Sequence, residues 1–136
     1  MTPGTIRAAL GTRLRSISGL TVYDRWPSGG LNPPCAVVAV GPSEPEQVFG
    51  RGDLTRWEFP VSVFVAMAPG LDQAQRNLDL YLATSSTGGI FGAIAADRTL
   101  GGAVDTVIVR GWRDYEPVEQ APELLGATCD LEVWGT

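Results

Sequence analysis

The stretch from Trp57 to Leu82 restricts the fold more than any other part of the chain. Trp57, Phe59, Val61, Val63, Val65 and Met67 alternate with Glu58, Pro60, Ser62, Phe64 and Ala66. A period of two over that length, rich in β-branched and aromatic residues, predicts a strand with one strongly buried face. Pro69-Gly70 breaks it, and Asp72 with Gln75 three residues later has the spacing of a capping box. Ala74, Leu78, Tyr81 and Leu82 then recur at helical spacing and predict an apolar stripe. A strand running directly into an amphipathic helix is the nucleus of a two-layer α/β packing. Pro60 removes a ladder donor, so its position should be an edge, a bulge or the last pairing before a loop.

The flanking segments predict the layers around this unit. Thr2-Pro3 caps an N-terminal helix whose apolar face is Ile6, Leu10, Leu14 and Ile17, with Gly19 as its stop. Leu20 to Arg25 suggests a short strand, and Trp26 to Pro34 a loop. Cys35 to Val40, apolar on both faces, suggests a central strand. Gly41 to Thr55 and Glu116 to Glu123 carry turn residues and acids and are expected as loops, the first of them long. Thr87 is the expected cap of a short helix over Ile90 to Asp97. Val104 to Tyr115 predicts a strand bulged near Gly111, and Leu125 to Trp134 a half-exposed antiparallel strand. One domain, residues 1–136, is expected. Its class is α+β: a mostly antiparallel sheet of four to five strands with helices packed on one face, in the order α-β-β-β-α-α-β-β.

Composition narrows the chemistry. The chain has no histidine and no lysine; all ten basic residues are arginine, against fifteen acids, for a net charge of -5. A nucleophilic Ser or Cys would lack its usual base. Schiff-base and P-loop lysine chemistry is excluded. Zinc sites built from Cys and His fail on ligand count, since only Cys35 and Cys129 are present, and both read as buried thiols. Asp72 and Asp79 are seven apart on one helix and serve better as a cap and a solvated residue than as a catalytic dyad. Glu44, Glu46 and Asp53 lack EF-hand spacing. Thr84 to Gly89 resembles an anion cradle without the P-loop pattern. The negative balance argues against a general nucleic-acid-binding surface. No apolar run reaches the roughly 20 residues of a membrane span, and the first residues lack the layout of a secretory signal. No catalytic, cofactor or metal site is expected. The remaining signal is Trp112 and Tyr115 beside Arg110 and Arg113, residue types enriched at binding hot spots.

Several segments together resemble a known family. They are the N-terminal helix followed by Tyr23 and Trp26-Pro27, then Asn32-Pro-Pro-Cys-Ala-Val-Val, then Phe59 to Val65 with Ala74-Gln-Arg-Asn-Leu-Asp-Leu-Tyr-Leu. Thr87-Gly-Gly-Ile, Asp97-Arg-Thr-Leu-Gly-Gly-Ala-Val, Gly111-Trp-Arg-Asp-Tyr and a final Leu-Gly-Ala strand complete the set. The chain resembles the tail terminator family of long-tailed, siphovirus-type bacteriophages, particularly those of actinobacterial hosts. The resemblance implies a non-enzymatic protein, assembled in the host bacterial cytoplasm and carried in the virion at the head-tail junction. It implies a six-fold ring that caps the head-proximal end of the tail tube, ends tube polymerisation and offers a docking surface to the head. Its partners would be copies of itself, the tail tube protein and a head-tail connector or stopper, with DNA passing through unbound. The expected contacts are Arg51 and Asp53 in the first acidic loop and Arg113, Tyr115 and Glu116 at the second. A neighbouring head-completion or stopper protein, and a small-molecule-binding α/β domain, are the alternatives.

Overall fold

A computed structural model describes residues 2–39, 41, 43–48, 52–83, 89–119 and 121–135, with the backbone alone for 43–48 and 52–54. The elements run α1 (Pro3–Leu14), β1 (Thr21–Tyr23), β2 (Cys35–Val38), β3 (Ser43–Val48) and β4 (Gly52–Ala66). They continue with α2 (Leu71–Leu82), α3 (Ile90–Ala96), β5 (Thr106–Val118) and β6 (Ala121–Gly135). The class is α+β and the expected order holds, with β3 as one added strand. The sheet order is β1-β2-β4-β6-β5, with β3 beside β4. β1 and β2 are parallel and the other pairs antiparallel, so the sheet is mixed.

β4 is the axis. β6 lines one of its edges from Thr55 to Ala66, while β2 and then β3 line the other. Pro60 lies inside the sheet, opposite Asp130 of β6. On its other side its carbonyl accepts the Ala39 N–H at 2.9 Å, and the Glu58 carbonyl accepts the Gly41 N–H at 2.7 Å. The contact runs on past the proline, so its position is not the last pairing. Fifteen residues at about 3.3 Å each give β4 a length of roughly 50 Å. A compact domain of this size is roughly 37 Å across by the usual scaling of radius with length. One end of β4 therefore overshoots. That end is Gly52 to Leu54, which pairs with β3 beyond the last β6 partner.

Two expected loops are thus hairpins. Within 41–55 the backbone pairs Ser43 with Trp57 through to Val48 with Gly52. Within 116–123, β5 runs to Val118, which faces Ala121. Turn-forming composition marked the connections but hid the pairing. Because β4 and β6 are antiparallel, the two hairpins point from opposite ends of the sheet.

All helices lie on one face. Phe59, Val61, Val63 and Val65 of β4, Leu125 to Val133 of β6 at alternate positions, and Ala36 and Val38 of β2 meet Ile6, Leu10, Leu14, Ala74, Leu78, Ile90 and Ile94 in one buried cluster. Each fully buried Leu, Ile or Phe contributes about 2 kcal/mol of transfer free energy. Thr2 caps α1 as expected, its hydroxyl accepting the Thr5 N–H at 3.2 Å. Asp72 is not the cap of α2: Gly70 is, without a side-chain bond, and Asp72 instead pairs with Arg76 one turn on at 3.2 Å. Gly89 caps α3, and Thr87 lies outside the described residues.

Candidate protein-interaction surface

The face of the sheet without helices divides in two. Near the β5–β6 turn it is apolar: Cys35, Val37, Phe64 and Leu124 form a second buried cluster, with Tyr23, Leu31, Val118 and Ala121 against it. The loop between β1 and β2 folds over this half. Trp26 sets its ring edge-on to Phe64 with centroids 6.2 Å apart, yet stays 64% exposed. Gly126 permits the arrangement, because a Cβ there would lie 2.8 Å from the Phe64 ring. Burial pushes the Cys35 thiol up to about 11, which leaves it inert.

The other half is ionic. Glu58 and Glu132 are directly opposed on β4 and β6, a repulsive pairing taken alone. Arg56 lies between them, its Nη1 at 3.2 Å from Glu58 Oε1 and 3.4 Å from Glu132 Oε2. Arg110 grips Glu132 with Nε and Nη2, both at 2.8 Å, and the Trp134 indole N–H donates to the same carboxylate at 2.6 Å. Arg110 is the extra residue of the bulge that shifts the register between Val109 and Gly111, which turns its side chain toward Glu132. Glu132 is only 4% exposed. Burial works against its carboxylate; the bonds from Arg110 and Trp134, with the charges of Arg110 and Arg56, outweigh that and hold its pKa below the ordinary value.

The expected contact residues fall into separate places. Arg51 lies outside the described residues. Asp53 stands on the projecting hairpin, its Cα opposite Gln47. Arg113, Tyr115 and Glu116 share the far part of β5, near the other end of the sheet. Arg113 is bound to Asp130 at 2.9 Å and Asp114 at 2.7 Å. The Tyr115 hydroxyl reaches α2, donating to Asp79 Oδ1 at 2.8 Å, so Asp79 is not simply solvated. Trp112 packs into the main core and is not a free aromatic. Glu116 is exposed, and no ion pair holds it among the described residues.

Two recesses adjoin the apolar half. A groove of about 660 Å³ is lined by Leu31, Pro33, Ala66, Met67, Glu123 and Leu124. A second, of about 360 Å³, lies between Trp26, Phe64, Glu116 and Val118. The larger is apolar and brings together no set of polar groups that would orient a small ligand. Its chemistry suits an apolar protein segment. Among the described residues, no group of three His, Cys, Asp or Glu side chains could hold a metal ion. The Glu132 network was invisible in sequence: Glu132 alternates with core residues as a solvent-facing position would, and only the β5 bulge brings Arg110 to it. No known family model matches the chain, and no curated protein matches it in sequence.

Proposed function

We propose that this chain is a tail terminator of a long-tailed bacteriophage, forming a ring that caps the head-proximal end of the tail tube, stops its growth and presents the joining surface for the head. The observation that carries this reading is the two-ended build: one central strand of roughly 50 Å ends in a hairpin at one end, and a second hairpin points from the other. A protein that must meet a tube on one side and a neck on the other needs two contact surfaces held rigidly apart. A single hydrogen-bonded sheet does this without moving parts. Ring closure requires heterologous contacts, a patch on one copy meeting a different patch on the next. The net charge of -5 gives passing DNA no counterion-release binding.

Light scattering with negative-stain imaging tests the ring: the expected species is a six-membered ring with an open channel. A monomer that binds a nucleotide would sink the reading. A growth assay separates terminator from stopper. Added to polymerising tail tube protein, a terminator arrests the tubes; tubes that lengthen unchanged beside an intact ring assign the chain to the neck instead.

A further inference from the structure

The β1 end of the sheet and the β5–β6 hairpin carry opposite charge. α1 lies over β1 and β2, at one edge. Its polar side holds Arg7 and Arg15 in line with Gly11, whose absent Cβ would lie 3.2 Å from Asp24 Cβ just after β1. Arg15 Nη2 reaches the Val22 carbonyl of β1 at 3.3 Å, and Arg25 follows β1 in the chain with its side chain 74% exposed. Three arginines thus crowd that edge against one acid, Asp24, which touches Arg25 at only 3.9 Å. Neither Arg7 nor Arg15 has an ion-pair partner among the described residues, and Arg7 Nε makes no hydrogen bond. Asp97 lies near Arg13 on another side of α1 and is already committed to Thr99 and Gly101.

The opposite edge is β5 with its hairpin. Asp114, Glu116, Glu119 and Glu123 are all exposed there; of the two β5 arginines, Arg113 is spent on Asp114 and Asp130 and Arg110 on Glu132. Four strand spacings separate β1 from β5, about 19 Å. The loop after β1 crosses part of that span, since Trp26 lines the same recess as Glu116 and Glu119, yet no ion pair joins Arg7, Arg15 or Arg25 to either acid among the described residues. Strand-to-strand addition is disfavoured at the β5 and β1 edges. β5 is bulged at two places and carries Pro117, and β1 offers three residues.

Resting on the ring reading, we infer that the contact between ring subunits is heterologous and electrostatic: the arginine edge of one copy, Arg7, Arg15 and Arg25, docks on the acidic β5–β6 hairpin, Glu116 and Glu119, of the next. The occupant is a second copy because the two surfaces are complementary in sign, are joined by no ion pair within the chain among the described residues, and repeat in every subunit. That geometry lets each copy give one surface and take the other until the ring closes. Charges at such a rim set association rate and register.

The test is a charge swap read by sedimentation velocity and light scattering on the full chain. Arg7→Glu/Arg25→Glu and, separately, Glu116→Arg/Glu119→Arg should each weaken subunit association at least ~10-fold. The four changes combined should return it to within about 3-fold of the unmodified protein, the signature of direct pairing. Raising salt from about 0.05 to about 0.5 M shortens the screening length from roughly 14 to roughly 4 Å and should weaken the unmodified ring. Arg25 lies in a loop with its side chain 74% exposed, and Arg7 is without an ion-pair partner among the described residues, so melting temperature should hold. If a reversal does melt the protein, Arg7→Gln/Arg25→Gln carries the same test with half the charge change. A ring that survives both reversals overturns this contact and leaves the ring reading standing. So does weakening that the swap fails to restore. An unmodified protein that stays monomeric at every concentration overturns both.

Discussion

The two faces of the sheet solve burial in different ways. The helix face is apolar throughout, and three helices close it. Among the described residues the open face has no helix; a loop covers half of it, and a buried carboxylate neutralised by two arginines and an indole holds the rest. An apolar face gains stability roughly in proportion to area and tolerates any packing of the right volume. A charged face is stable only while every partner is in place. The first holds the fold together. The second holds one register, and with it the direction in which each hairpin points.

That contrast can be broken from either side. Phe59→Ala, on the helix face, removes a side chain that is 0% exposed and should cost about 4 kcal/mol in urea denaturation, by transfer loss plus cavity. Glu132→Gln, on the open face, should cost about 2 kcal/mol at pH 7, less than for a fully buried pair because Arg110 is half exposed and can rehydrate. The two differ in pH dependence. The folded pKa of Glu132 is depressed, so its contribution is complete above the unfolded value near ~4.3 and fades as pH falls through the folded one. The gap between wild type and Glu132→Gln should therefore close in acid, while the Phe59→Ala gap persists. A Glu132→Gln gap that is flat with pH would mean that charge pairing is not what holds this face. Gly126→Ala drives a methyl to 2.8 Å from the Phe64 ring and should cost about 1.5 kcal/mol by overpacking. If it is neutral, the loop and Trp26 shift freely and the apolar half is no true core.

The helix face was legible in sequence and the open face was not. Period two in β4 and β6 and period 3.6 in α1 and α2 announce which residues turn inward, because burial against a neighbouring layer selects for them one by one. The partners on the open face depend on register. Nothing in the order of residues says that Glu58 stands opposite Glu132, or that a bulge aims Arg110 at it. The hairpins were missed for a related reason: Pro45, Gly52 and the acids of 41–55 have low strand propensity. Pairing along a β4 edge already organised by β2 overrides that preference.

The smallest effect concerns the link between the two layers at the β5 edge. Tyr115 is 38% exposed, and by composition it belongs to a binding surface; its hydroxyl is nonetheless bound to Asp79 of α2. Burial first, then the bond and charge of Asp79, push its pKa up to about 12. Its stabilisation is thus complete below the unfolded value near ~10 and is lost as pH climbs through about 12. Tyr115→Phe keeps the ring and deletes only the bond, so the expected loss is about 0.5 kcal/mol, small because Asp79 regains water. The useful comparison is with association. If Tyr115 only fastens the edge strand to the helix layer, Tyr115→Phe lowers melting slightly and leaves subunit association unchanged. If association falls while melting holds, the hydroxyl is needed between subunits, and the β5 edge contributes more to assembly than its charges alone.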